Sequence, residues 1–184
     1  MLGRPGLVAA FLWGLGEATF FFVIPDVFFS FIAMLDWRST WRHIVAALGG
    51  ALVGGALLFH WSQADPAAAH AAVARVPFIA PQMFAKVNSG LEKMGLLAVL
   101  AGSISGLPYK LYAVEAPRIS TLFAFLLATP PARAVRFILV WMVFGAVTAW
   151  LRTRFALSTR KLAYIHAMIW IASYAFYWGR IVYR

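Results

Sequence analysis

The chain of 184 residues has no cysteine. That excludes disulfides, thiolate nucleophiles and cysteine-ligated metals, and it leaves the redox compartment open. Charge is scarce too. Only 12% of residues are Asp, Glu, Lys or Arg, about half the ~25% typical of soluble domains. Acid is scarcest, with six Asp and Glu against sixteen Lys and Arg. In place of charge there is hydrocarbon: 63% of residues are hydrophobic and the mean hydropathy is +0.81. Several windows exceed the ~18 apolar residues that suggest a membrane span. These features predict an all-α polytopic membrane protein with one compact domain and no soluble appendage. The basic surplus then belongs to loops that set topology and meet anionic lipid headgroups, and nucleic acid is not an expected partner.

Residues 7–35 form the first apolar block. Arg4 in front of it imitates a signal peptide, but the run is too long, contains Glu17 and leads into further apolar segments, so it is expected to stay in the mature protein. A straight helix of that length would reach ~44 Å at ~1.5 Å per residue, against a hydrocarbon core of ~30 Å. Pro25 removes a backbone donor and disfavours helix at Ile24. The block therefore either kinks or turns back near Pro25-Asp26. Asp36-Trp-Arg-Ser-Thr-Trp-Arg42 reads as an interfacial loop, and residues 43–61 as a clear span. Trp41 and Trp61 would stand ~30 Å apart on it, which suits the two interfaces. Its Gly49-Gly50 and Gly54-Gly55 pairs allow a second helix to approach closely.

Asp65-Pro66 is a helix start, with an N-cap followed by proline at the first helical position. The alanine-rich stretch to Arg75 is too short to span. Pro77 and Pro81 break the chain, and an amphipathic piece over residues 83–93 follows. Residues 96–128 repeat the first block's problem: they are too long for one span and are interrupted by Gly106, Pro108, Lys110, Glu115, Pro117 and Arg118. Gly106 and Pro108 are turn chemistry, so a second re-entrant hairpin fits better than a continuous helix. Arg133 and Arg136 are placed at the next interface, with a span over 137–151, a basic loop over 152–161 and a last span over 162–178. The predicted architecture is a single membrane domain over 1–184. It comprises a first hairpin plus span (7–61), an interfacial helical segment (66–93), a second hairpin plus span (94–151) and a C-terminal span (162–179). The two hairpins would enter from opposite faces, as in inverted-repeat transporters. Arg4, Arg38, Arg42, Arg152, Arg154, Arg160 and Lys161 fall on one side. Arg75, Lys86, Lys93, Arg133, Arg136, Arg180 and Arg184 fall on the other.

Two interruptions carry the chemistry. Glu17 inside an apolar run is expensive in lipid and should face the protein interior or a water-filled cavity, as a proton or substrate site or as the structural partner of a buried cation. Asp26 is either part of that site or a cap on the returning helix. Lys110 either binds a phosphate or snorkels to an interface, and Glu115 could neutralise it. Arg133 and Arg136 are headgroup anchors or substrate ligands. Pro25, Gly106, Pro108 and Tyr109 are hairpin turns. His43, His60, His70 and His166 show no ligand spacing, so no metal site is expected. Ser103 and Ser105 beside Gly106 lack a paired histidine and the glycine that an intramembrane serine protease needs, so no enzyme is expected, and no cofactor.

Glu17 with the Phe-rich run to Pro25-Asp26, the glycine-rich span from Leu48, the Gly106-Leu-Pro-Tyr-Lys110 turn and Arg133-Ala-Val-Arg136-Phe137 occur in this order. Over residues 11–151 the chain resembles the DedA family of bacterial inner-membrane proteins, also called the SNARE-associated or VTT-domain family. The Pro-Tyr-Lys turn is most similar to its YqaA-like branch. The resemblance implies two opposed membrane-penetrating hairpins and lipid translocation, either flipping of a polyprenyl phosphate or phospholipid, or scrambling. Many members carry an arginine three residues before the second-turn proline, where this chain has Ser105. A further arginine that follows the proline is replaced by Lys110, a point charge rather than a planar fork. The partners implied are membrane lipids with anionic phosphate headgroups, and protons if transport is coupled. The glycine faces leave homo-oligomerisation open. Two other readings of the same site are a proton- or cation-coupled transporter of a small solute and a non-transport membrane scaffold.

Overall fold

A computed structural model describes residues 3–182, except the side chains of residues 178 and 180–182. Arg180 and Arg184, assigned above to one side of the protein, therefore lie outside the described side chains. Every regular element among the described residues is helical: α1 (Gly3–Ala18), α2 (Asp26–Leu35), α3 (Thr40–Ala64), α4 (Pro66–Ala74), α5 (Pro81–Met94), α6 (Leu97–Ser105), α7 (Tyr109–Glu115), α8 (Leu122–Phe155) and α9 (Thr159–Val182). A 3-10 turn, Ala116–Arg118, follows α7. Two of these helices, α3 and α8, are long and apolar enough to cross a membrane. Large apolar side chains lie exposed along both, including Val45, Val53 and Leu57 on α3 and Leu139, Met142, Val143 and Trp150 on α8.

The first block is broken where the sequence predicts. α1 stops at Ala18, and the amides of Thr19 and Phe21 turn back onto the Gly16 carbonyl (3.1 and 2.7 Å). Pro25 then precedes α2. α1 packs along α3 at the closest range a helix pair reaches. A β-carbon at Gly14 would overlap the Ala47 carbonyl, one at Gly50 the Phe11 carbonyl, and one at Gly54 the Leu15 carbonyl and Ala18. Residues 11–18 thus climb alongside residues 47–54 in the same direction, and the small-residue pairs of α3 are used for helix contact. After the break, α2 brings the chain back to Asp36, beside the start of α3.

The second block mirrors this. α6 ends at Gly106, whose φ of 81° is the left-handed conformation that glycine adopts without penalty. Pro108 precedes α7, which runs beside the far half of α3. Tyr109 lies against Gly55, and the Ser62 hydroxyl donates to the Val114 carbonyl (2.6 Å). The two breaks therefore point toward each other from opposite ends of α3. α4 forms as expected, with the Asp65 carboxylate accepting from the Ala68 amide (2.9 Å), and Ala69 and Val73 bury its inner face.

α8 corrects the sequence reading. Arg133 and Arg136 do not mark a helix boundary. They lie in the middle of a continuous helix of 34 residues that carries Pro130 and Pro131 inside it. Phe125 packs on Phe59 near one end (5.4 Å) and Phe137 on Phe29 further along (4.7 Å). Toward the other end the Trp37 ring occupies the space that a β-carbon at Gly145 would fill, and Arg152 reaches the Met34 carbonyl. That contact puts Arg152 at the same end as Arg38 and Arg42, as the charge grouping predicts. α9 returns from this end and packs chiefly against α2.

Candidate functional site

The two breaks meet at the middle of α8. Lys110, the second residue of α7, extends its ammonium to the Phe21 carbonyl in the first break (2.9 Å). Arg133 pairs with Glu17 at the end of α1, and Arg136, one turn along α8, pairs with Asp26 at the start of α2. Four separate elements thus bring five ionisable side chains together. Only 4% of Glu17, 2% of Asp26, 2% of Lys110 and 5% of Arg133 remains exposed. Burial on that scale is tolerated for charges only when they are paired and hydrogen-bonded.

Arg133 does more than pair. Its guanidinium lies over the Tyr109 ring (4.9 Å) and the Phe137 ring (5.1 Å), within cation–π range of both. Tyr109 is held in turn by a hydrogen bond between its hydroxyl and that of Thr129 (2.8 Å). Tyr109 is therefore a wall of the site as well as a turn residue. The pairing is incomplete: Nε of Arg133, Nε of Arg136 and Oδ1 of Asp26 are buried without a hydrogen-bond partner. Such atoms are uncommon in folded proteins, and each calls for a water or ligand.

The charge does not balance either. Three cations, Lys110, Arg133 and Arg136, face two carboxylates, Glu17 and Asp26. Among the described residues no carboxylate lies within salt-bridge distance of Lys110, and its hydrogen-bond partner is a peptide carbonyl. One positive charge is left over on a group whose Lys110 and Arg133 are buried.

That surplus faces a cavity of about 280 Å³. Glu17, Lys110, Arg133 and Arg136 form one end of it, with Pro108 and Tyr109 beside them. Asp26 does not reach the cavity and acts on it through Arg136. Much of the remaining wall is aromatic, made of Phe22, Phe78, Trp170, Tyr174 and Tyr177. No family model, curated protein or solved structure matches this chain. The site is therefore read from its own geometry.

Glu115 is the sequence candidate that stands apart. It points away from Lys110 and accepts from Arg118 (2.9 Å) and His70 (3.1 Å). The expectation that Glu115 could neutralise Lys110 is not met, because five residues of helix turn the two side chains to different faces and opposite ends of α7. Arg133 and Arg136 also change role, from interface anchors to the ion-pair partners of the buried Glu17 and Asp26, Arg133 itself being buried and Arg136 partly exposed. Of the Asp26 carboxylate, Oδ2 pairs with Arg136 and Oδ1 has no hydrogen-bond partner. Sequence reasoning missed the contribution of α9. Trp170 donates to the Ser30 hydroxyl (3.0 Å), which also bonds His166 Nε2 (2.8 Å), and the Ile24 amide donates to the Tyr174 hydroxyl (3.0 Å). The signal available was the spacing of Trp170, Ser173, Tyr174 and Tyr177, which gives one helix face a polar-aromatic character unlike the rest.

Proposed function

We propose that the protein is a multi-pass protein of the bacterial inner membrane that moves a phosphate-bearing lipid, a polyprenyl phosphate or a phospholipid, between leaflets. In this reading the two breaks are re-entrant hairpins entering from opposite faces, α3, α8 and α9 are the spans, and the cavity lies near the midplane. The resemblance to the DedA family points the same way. The observation that carries the proposal is the surplus cation: Lys110 is buried, lines the cavity and lacks a carboxylate.

A buried ammonium held by one peptide carbonyl keeps two N–H donors for a ligand. A phosphate oxygen entering the cavity would meet Lys110, with the positive guanidinium groups of Arg133 and Arg136 beside it in the cavity wall. Glu17 and Asp26 hold the arginines in place and keep the empty site close to neutral, so that a headgroup can leave as well as enter. Acyl or prenyl chains would remain in the bilayer. A site too positive would trap the phosphate, and a site without surplus would not recruit it.

The test is reconstitution into liposomes with fluorescent lipids and a membrane-impermeant quencher. Wild-type protein is expected to equilibrate labelled lipid between leaflets, and Lys110→Ala to slow exchange at least ~10-fold, the equivalent of one charge-assisted hydrogen bond. Exchange by Lys110→Ala at the wild-type rate would remove the basis of the assignment. Absence of lipid exchange together with proton-dependent uptake of a small anion would replace it by solute transport.

A further inference from the structure

The cavity has an aromatic wall, and α9 supplies most of it. Trp170, Ser173, Tyr174 and Tyr177 recur at the spacing of one helical face and all line the cavity. The outward residues of the same helix are apolar and open: Met168 is 70% exposed, Ile171 69% and Phe176 67%. α9 thus stands at the edge of the cavity, with rings on its inner side and hydrocarbon on its outer side. α9 packs chiefly on α2. Among the described residues its polar ties to the rest of the chain include the Ile24 amide on the Tyr174 hydroxyl and Trp170 and His166 on the Ser30 hydroxyl, with Arg152 donating to the Thr159 hydroxyl at the far start of the helix.

Phe78 adds a strained element at the same place. Its φ of 69° is a left-handed conformation that a bulky residue rarely adopts. The strain seats its ring between Phe22 of the first break (5.3 Å) and Tyr174 and Tyr177 of α9 (6.0 and 5.8 Å). Strain persists where the surrounding structure holds it, commonly at ligand clamps.

We propose that the inner face of α9 is a second subsite of the cavity, one that takes the hydrocarbon adjoining an anionic headgroup and admits the ligand sideways from the bilayer, with the Tyr174 hydroxyl on the Ile24 amide as its latch. The proposal rests on the lipid-handling reading of the cationic end. It assigns specificity to Tyr174, Tyr177 and Phe78, and it makes the movement of α9 away from Ile24 and Ser30 the step that opens the site. Rings suit this role because they bury hydrocarbon and release it without leaving a buried polar group unpaired.

Two experiments separate this proposal from the reading it rests on, and the lack of native cysteine makes both clean. In the first, Ser103→Cys, which lines the cavity, is labelled in lipid nanodiscs with a bilayer-soluble maleimide and with a charged, membrane-impermeant one. Tyr174→Phe keeps the ring and removes the latch. It is expected to speed labelling by the bilayer-soluble reagent ~3- to 10-fold, the effect of one hydrogen bond, and to leave the charged reagent slow. Equal labelling with and without the latch, or faster labelling by the charged reagent, would overturn the lateral door. In the second, Ser30→Cys/His166→Cys is bridged by a short, reducible bifunctional methanethiosulfonate in liposomes. Lipid exchange is expected to fall at least ~10-fold when bridged and to recover on reduction. Exchange at the same rate in the bridged and reduced states would overturn the movement of α9. If wild-type protein exchanges no lipid at all, the transport reading falls, and the labelling experiment still decides the door.

Discussion

The short helix α7 carries two ionic clusters, one at each end, and they are built from the same residue types to opposite effect. At its start, Lys110 joins Glu17, Asp26, Arg133 and Arg136 in a group of which Arg136 alone keeps appreciable exposure, and which has one cation too many. At its finish, Glu115 meets His70 and Arg118, whose side chains are 47% and 64% exposed. Charges that can reach water relax and are screened, so the pairs made there add little. Charges sealed from water must be satisfied by one another, and any excess is an attraction for an anion. On the proposed reading, imbalance and seclusion together are what make one of these clusters a site for an anion.

The comparison breaks most severely at Glu17. Glu17→Ala leaves the Arg133 guanidinium buried without its carboxylate, a loss of ~3–5 kcal/mol on the scale of broken buried pairs. Thermal unfolding in detergent should show a large fall in midpoint and lipid exchange should vanish. The double variant Glu17→Gln/Arg133→Gln removes both charges and should recover much of the stability and none of the transport. If the double variant is no more stable than the single one, Arg133 and Glu17 are not the pair that matters.

Lys110→Met should split the two readouts. It deletes a buried cation that no carboxylate neutralises and keeps an unbranched apolar side chain. Stability is therefore expected to stay level or rise, while exchange falls at least ~10-fold. A protein that loses both would show Lys110 to be a structural group that holds Phe21. Asp26→Asn is the next step down. Asp26 touches the cavity only through Arg136, whose side chain is 29% exposed, so its loss is cushioned by solvent. A reduction of exchange of ~3- to 10-fold with ~1–2 kcal/mol of destabilisation is the expected result. An Arg136→Lys variant should behave alike if the carboxylate acts by positioning that cation.

Much of the fold was legible. Pro25, Gly106 and Pro108 act on the backbone of their own neighbours, and both breaks fall where these residues stand. The small residues of α3 do what their spacing suggests. Arg133 and Arg136 were misplaced because Pro130 and Pro131 just before them look like the end of a helix and the charges like an interface. Propensity lost to packing: Thr129, Ala132 and Phe137 are buried around the prolines, and the helix continues. Pairings such as Glu17 with Arg133 join residues 116 positions apart, and no local pattern specifies a partner at that distance. The wall made by α9 was hidden for another reason. Tyr174 and Trp170 are ordinary interface aromatics by composition, and only the position of Ser30 and Ile24 gives them a task.

The smallest predicted effect tests the other side of the comparison. Glu115→Gln keeps the shape of the side chain and replaces charge-assisted bonds to Arg118 and His70 with neutral ones. Arg118 can turn into solvent and His70 can lose its proton, so no buried charge is stranded. The stability change should stay within ~1 kcal/mol, and lipid exchange should match the wild type. Arg118→Ala should be smaller still. If Glu115→Gln instead abolished exchange while leaving the unfolding midpoint alone, seclusion would no longer distinguish the two clusters. The water-exposed end of α7 would then have to be treated as a second station for the anion on its way to Lys110, about one and a half helical turns away along the same helix.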